Sequence, residues 1–94
     1  MKINLEFRVS GRVQGVGFRY ATRQQAERLN LTGWVRNLSN GDVATAVYGD
    51  PDAVDEFGRW LWQGPEHARV KQIKSWKTDT SDYRDFRVLP NGVW

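Results

Sequence analysis

Apolar and polar side chains alternate at the start of the chain, which predicts a half-buried β-strand with one apolar face. Its apolar positions are Ile3, Leu5, Phe7 and Val9. From Phe18 the spacing changes to that of a helix, because apolar or small residues recur every three or four positions. These residues are Phe18, Ala21, Thr22, Ala26 and Leu29. Asn30 follows and is a suitable residue to end the helix.

Turn residues divide the next part of the chain into a hairpin. The segment Leu31–Leu38 is predicted to form a second strand and Val43–Tyr48 a third. Asn40-Gly41 lies between them, and both of these residues tolerate the positive φ angles that hairpin turns require.

The last third of the chain repeats the helix-then-strand order. Asp50-Pro51 predicts a helix start, with Asp as the N-cap and Pro in the first turn. Gly64-Pro65 ends that helix, whose buried stripe is formed by Val54, Phe57 and Leu61. The segments that follow are a fourth strand at Ala68–Trp76, a polar loop at Thr78–Arg84 and a short final strand at Phe86–Val88.

The predicted order is therefore β-α-β-β-α-β with an additional edge strand. This order is typical of the α+β class known as the ferredoxin-like or split βαβ sandwich. We expect an antiparallel sheet of four to five strands with two helices on one face.

Composition limits the chemistry that the chain can perform. Its 94 residues suffice for a single domain, 1–94, and they include no cysteine and one histidine. The chain therefore has no disulfide, iron–sulfur cluster or thiol nucleophile, and a multi-histidine metal site or a Ser-His-Asp triad is disfavoured. No apolar run approaches 18 residues, and no signal-peptide apolar region follows Lys2, so we expect a cytoplasmic protein.

Positive charge is concentrated in the first half of the chain. Residues 1–47 carry seven basic and three acidic groups, whereas residues 48–94 carry seven and eight. An overall charge of +3 is too small to indicate a nucleic-acid binder, but the distribution places an anion site in the first half.

The glycine-rich segment GRVQGVGFR, residues 11–19, joins the first strand to the first helix. Gly15 and Gly17 allow a tight turn with backbone N–H groups facing inward, next to the free N–H groups of the helix start. This arrangement favours an anion, and Arg19 at its mouth can bind two phosphate oxygens at once. The segment matches neither the dinucleotide fingerprint nor the P-loop. An ordinary tight connection with a solvated arginine is the alternative.

Asn37 is a second candidate, at the polar end of the second strand. Alternate residues of a strand lie on the same face, so Asn37 lies on the face of Gly33 and Val35 and is the last residue of that inward-facing set. The alternative is that Asn37 is only a turn residue, because it lies shortly before Asn40-Gly41 in the chain.

Two blocks of the sequence resemble the signatures of the acylphosphatase family. They are the segment GRVQGVGFR, residues 11–19, and the segment LTGWVRN, residues 31–37, followed by Asn40-Gly41. The resemblance extends from about Phe7 to Val88. Departures from the family pattern occur at Tyr20, at Ala44 and in the segment Leu89–Trp94.

The resemblance implies metal-independent hydrolysis of acyl phosphates, without a cofactor, to a carboxylate and inorganic phosphate. It assigns catalysis to Arg19 and Asn37 and assigns phosphate binding to Gln14, Gly15, Val16, Gly17, Phe18 and Arg19. It also implies a monomer that takes a small-molecule acyl phosphate as substrate and phosphate or sulfate as a product-like ligand. No nucleic acid and no membrane are expected as partners.

Two other classes of function stay open at this point. RNA-recognition domains share this element order, but the outer face of the first strand lacks the aromatic side chains on which bases stack. A regulatory domain would bind phosphate or an acyl phosphate without turnover, and a phosphate-release assay distinguishes it from an enzyme.

Overall fold

The computed structural model describes residues 1–79 and 83–92, which form five strands and two helices. In chain order these are β1 (Ile3–Arg12), α1 (Phe18–Arg28), β2 (Thr32–Asn37), β3 (Val43–Gly49), α2 (Pro51–Gln63), β4 (Arg69–Lys77) and β5 (Phe86–Val88). The predicted element order is confirmed. Of the predicted polar loop Thr78–Arg84, residues 80–82 lie outside the described residues.

The strands form one sheet in the order β4-β1-β3-β2-β5, and the predicted ferredoxin-like α+β class is confirmed. The pairs β1–β3, β1–β4 and β2–β3 are antiparallel, as expected. β5 instead pairs with β2 in parallel, so the complete sheet is mixed. The reason is topological: β4 runs opposite to β2, and the chain reverses direction once more before β5.

Both helices pack on the face of the sheet that carries the alternating apolar residues of β1. Phe57 of α2 lies at the centre of this core, with its ring 5.8 Å from Phe7 and 6.4 Å from Phe86. The predicted α2 stripe is fully buried, and the buried residues of α1 are Phe18, Thr22 and Ala26. Each large apolar side chain buried in this way contributes about 1.5–3 kcal/mol to folding, so this core fixes the position of α1 over the sheet.

Asn30 ends α1 as the sequence predicts, although the regular helix stops at Arg28. Asn30 has a left-handed φ of 58°. Its N–H bonds to Glu27 O, and the N–H of Leu31 bonds to Ala26 O at 2.9 Å. This pair of bonds is a Schellman motif, which satisfies the last carbonyls of the helix and directs the chain into β2.

Asp50 occupies the predicted N-cap position of α2, with Pro51 as the first helical residue, but its side chain makes no capping hydrogen bond. The carboxylate pairs instead with Lys2 Nζ at 3.2 Å. Gly64 ends the helix, with a φ of 62° that favours glycine.

The other face of the sheet carries no helix. Ala44 and Ala46 are buried there beneath larger side chains of the neighbouring strands. The guanidinium of Arg8 lies over the Trp76 ring and that of Arg36 over the Trp34 ring, at 5.5 and 5.2 Å. Register places Trp34 on this face, opposite Ala46 of β3. Among the described residues, no helix is long and apolar enough to cross a membrane.

Candidate active site

The loop between β1 and α1 folds tightly because two of its glycines adopt left-handed conformations. Gly15 has a φ of 75° and Gly17 a φ of 78°. A Cβ atom at either position would meet nothing within 4 Å, so these glycines are required by backbone conformation and not by packing. Gly17 is also the N-cap of α1, and thus the loop leads directly into the helix start.

The backbone N–H groups of this loop are available to a ligand. In the part of the chain that the structure describes, no N–H from Gly15 to Arg19 donates a hydrogen bond. No acidic residue occupies the first turn of α1. The positive end of the helix dipole is therefore not neutralised by the chain itself, and the loop favours an anion.

Arg19 lies in the first turn of α1 and lines a cleft of about 270 Å³ next to the loop. Within residues 1–79 and 83–92, its guanidinium has no hydrogen-bond acceptor and no carboxylate partner. Two other arginines of α1 differ, since Arg23 pairs with Glu27 and Arg28 with Glu56. The Arg19 guanidinium is thus not committed to any described residue and is available to a ligand in the cleft.

Asn37 lines the same cleft from the sheet side. It is the last residue of β2, and its side chain faces the helices because it shares parity with the fully buried Val35. The residue is 8% exposed, and its buried Oδ1 has no hydrogen-bond partner. Of the described residues that line this cleft, Asn37 is the one with a buried side-chain polar atom whose bonding no other residue completes.

The structure therefore brings together the two side chains that the sequence singled out. Four loop residues predicted to bind phosphate line the cleft with Asn37: Gly15, Gly17, Phe18 and Arg19. Val16 does not line it and packs against the core. The cleft also contains three residues that the motifs did not assign, namely Val13, Tyr20 and Val88.

Gln14 differs from the other loop residues predicted to bind phosphate. Its side-chain Nε2 donates to Leu38 O and to Asp42 O, both at 2.8 Å. Both donor hydrogens are thereby used, and Gln14 does not line the cleft. The side chain fastens the loop to the β2–β3 hairpin, immediately after Asn37.

The segment after β5 continues beside β2. The N–H of Leu89 donates to Val35 O and the N–H of Gly92 to Asn37 O, both at 2.8 Å. This segment thus holds the peptide carbonyl of Asn37 from the outer side of the sheet. It is part of Leu89–Trp94, the segment in which the sequence departs from the acylphosphatase pattern. Residues 93 and 94 lie outside the described residues.

Among the residues that the structure describes, the other ionisable side chains do not form a second site. His67 is exposed in the turn between α2 and β4. The carboxylates of Asp55 and Glu56 are exposed and pair with arginines. No group of three or more histidine, aspartate or glutamate residues that could hold a metal ion is found where the chain is described.

Comparison with known proteins gives consistent results. The sequence profile described as Acylphosphatase matches residues 5–88. The acylphosphatase of Vibrio vulnificus (strain CMCP6) is 48% identical over 84 residues, which cover 89% of this chain and 93% of the relative. That of Coxiella burnetii (strain RSA 493) is 49% identical over 80 residues, covering 85% and 84%.

Solved structures agree with this result. An acylphosphatase from Coxiella burnetii matches the fold with a TM-score of 0.90 at 44% identity, over 94% of this chain and 93% of the other. The crystal structure of acylphosphatase from Bacillus subtilis gives 0.90 at 30% identity, over 95% and 99%. Arg19 and Asn37 lie inside the profile match, whereas the segment that follows β5 lies beyond its end.

Proposed function

The chain belongs to the acylphosphatase family, hydrolases that act on acyl phosphates, and we propose that the cleft at the start of α1 is its active site. One observation carries this proposal. Within the described residues, an arginine without an acceptor or carboxylate partner and an asparagine whose side-chain oxygen has no partner line the same cleft, beside a loop whose N–H groups donate no hydrogen bond. We also propose that residues 1–94 form a single domain. The monomeric state and the cytoplasmic location stay predictions from the sequence.

The loop and Arg19 hold the phosphoryl group. Backbone N–H groups from Gly15 to Arg19 donate to its oxygens, and the guanidinium binds two of them in parallel. These donors are fixed before the substrate arrives, so little reorganisation accompanies the reaction. Inorganic phosphate, or sulfate, binds in the same place as a product-like ligand.

Asn37 positions the attacking water. Its side-chain carboxamide hydrogen-bonds the water and thereby directs an oxygen lone pair toward phosphorus. A carboxamide is too weak a base to remove the proton, which passes to an oxygen of the substrate phosphate. The water oxygen bonds to phosphorus as the bond from phosphorus to the acyl oxygen breaks, and the carboxylate leaves with that electron pair.

The reaction requires no general acid, because a carboxylate is a stable leaving group at neutral pH. This explains how a chain with one histidine, exposed in a turn, and no cysteine can be a hydrolase. Charge on the phosphoryl oxygens is balanced by the guanidinium and the N–H groups, so the mechanism has no step that needs a metal ion.

We expect phosphate release from an acyl phosphate such as benzoyl phosphate to continue at the same rate in the presence of excess EDTA. Release of inorganic phosphate is measured with and without the chelator, after subtraction of the spontaneous hydrolysis rate. A loss of activity that added metal restores would contradict the mechanism. Binding of benzoyl phosphate without release would instead identify a regulatory domain.

Replacing Gln14 by leucine should lower kcat by roughly tenfold to a hundredfold, because the loop and Asn37 lose the link that sets their spacing. Leu38 O and Asp42 O each keep a backbone donor, from Gly41 and Leu38, so the loss of the two Gln14 bonds costs about 0.5–1.5 kcal/mol of stability each. The measurements are kcat, KM and the thermal midpoint Tm. Gln24→Leu, at an exposed position of α1, is the matched control. An unchanged kcat in Gln14→Leu would refute the positioning role.

A further inference from the structure

The cleft has a polar interior and an apolar rim. The loop N–H groups, Arg19 and Asn37 supply the polar interior. Tyr20 and Val88 line the same cleft but are 66% and 38% exposed, so they stand at its mouth. The described part of the chain exposes three other large hydrophobic side chains, at Met1, Trp62 and Trp76, and none of them lines this cleft.

The two rim residues approach the cleft from different elements. Tyr20 follows Arg19 in the first turn of α1. Val88 is the last residue of β5, where it pairs with Val35 and shares parity with the buried Phe86. Because β5 is parallel to β2, the last residues of both strands lie at the same end of the sheet. Val88 therefore faces the cleft from beside Asn37, opposite the helix.

The ring of Tyr20 is exposed at the mouth of the cleft. Within residues 1–79 and 83–92, neither its hydroxyl nor its ring makes a hydrogen bond or a ring contact. An aromatic side chain buries a large apolar area when it is covered, so a ligand that contacts the ring gains affinity from that contact.

The position of the phosphoryl group determines where the rest of the substrate lies. At about 270 Å³ the cleft is slightly below the usual size range of small-molecule sites. With the phosphoryl group held on the loop and a water on Asn37, the acyl group must project outward to the mouth. There it meets the Tyr20 ring and the Val88 side chain.

We propose that Tyr20, assisted by Val88, selects acyl phosphates with a large apolar acyl group, such as an aromatic one, over acetyl phosphate and carbamoyl phosphate. This inference rests on the proposed function. A methyl or amino substituent is too short to cover the ring, whereas a phenyl group can lie against it. Selection arises from contact with the ring face, so the phenolic hydroxyl is not needed.

The test compares kcat/KM for benzoyl phosphate and acetyl phosphate in the wild type and in Tyr20→Ala, Tyr20→Phe and Trp62→Ala. The wild type should prefer benzoyl phosphate, and Tyr20→Ala should reduce the ratio of the two kcat/KM values by roughly tenfold. Tyr20→Phe keeps the ring and should keep the ratio within about twofold. Trp62→Ala truncates another exposed aromatic side chain, which lies outside the cleft, and should leave both values unchanged.

A second measurement separates binding from turnover. Benzoylphosphonate and acetylphosphonate carry a carbon–phosphorus bond in place of the scissile bond, and their inhibition constants report binding alone. Tyr20→Ala should weaken inhibition by benzoylphosphonate by roughly the same tenfold factor relative to acetylphosphonate.

The outcomes distinguish this inference from the function on which it depends. If the wild type releases phosphate from both substrates but the ratio is unchanged in Tyr20→Ala, the specificity role is wrong and the proposed active site stands. If Tyr20→Phe loses the preference as completely as Tyr20→Ala, the hydroxyl and not the ring makes the selection, which also overturns the proposal. If the wild type releases phosphate from neither substrate, the proposed function itself fails.

Discussion

An Arg19→Lys variant is expected to hydrolyse acyl phosphates with a kcat/KM lower than that of the wild type by roughly 10²-fold or more. Lysine keeps the positive charge at the same position of α1. It loses the planar fork that binds two phosphoryl oxygens in parallel, and its single ammonium group cannot reproduce that geometry. The expected loss therefore measures how much the two-oxygen grip of the guanidinium contributes to kcat/KM, separately from its positive charge.

The structure supplies a sharp control for this experiment. Arg23 lies one turn further along α1 and is committed to Glu27 on the exposed side. Arg23→Lys makes the same chemical change on the same helix and should leave kcat/KM within about twofold, as for other exposed ion pairs. Phosphate release by Arg19→Lys near the wild-type rate would refute the assignment of Arg19. A drop in both variants would instead point to the stability of α1, which a thermal melt detects.

Replacing Asn37 by alanine should lower kcat by roughly 10²-fold while changing the affinity for inorganic phosphate by no more than about threefold. The two effects separate because the Asn37 amide holds the water, whereas the loop and Arg19 hold the phosphate. Phosphate affinity is measured as competitive inhibition or by calorimetry. A large loss of phosphate affinity would contradict this division of roles.

Asn91→Ala is the matched control for this second variant. Asn91 carries the same amide, is exposed, and lies in the segment that runs beside β2, outside the cleft. Its truncation should leave kcat unchanged. Should both variants lose activity equally, the segment after β5 and not the Asn37 side chain would be the important element.

The sequence predicted most of the fold because local patterns determine it. The hydrophobic pattern predicted β1 from its alternation and α1 from its helical spacing, and both form there. It also predicted the short strand Phe86–Val88, which is β5. Asn30 was identified as the end of α1 because its residue type tolerates a left-handed conformation. Such signals depend on neighbours within a few positions, so a single sequence contains them in full.

Interactions between distant segments could not be predicted in the same way. The bonds from Gln14 to Leu38 and Asp42 join residues 24 and 28 positions apart. Nothing in the spacing of residues 11–19 distinguishes a glutamine that binds phosphate from one that ties the loop to a hairpin. Asp50 likewise has the right type for a capping side chain, and the nearby Lys2 takes its carboxylate instead.

The site was predicted in part. The glycine-rich segment and the inward-facing position of Asn37 indicated residues that line one cleft, but their meeting there depends on the strand order. The parallel pairing of the segment after β5 had no periodic signal, because Pro90, Asn91 and Gly92 are typical of loops. For the same reason Val88 could be placed in a strand but not at the rim of the cleft.

The position of β5 has a consequence for the behaviour of the protein at high concentration. A strand at the border of a sheet can recruit the same strand of another molecule, which leads to aggregation. β5 and the residues after it occupy the border of β2, where Val35 O and Asn37 O are already bonded. The opposite border is β4, whose exposed Lys71, Lys74 and Lys77 repel a second copy. One border is thus protected by a backbone partner and the other by charge, so a molecule shortened before β5 would lose Phe86 from its core and expose the edge of β2 to pairing with a second copy.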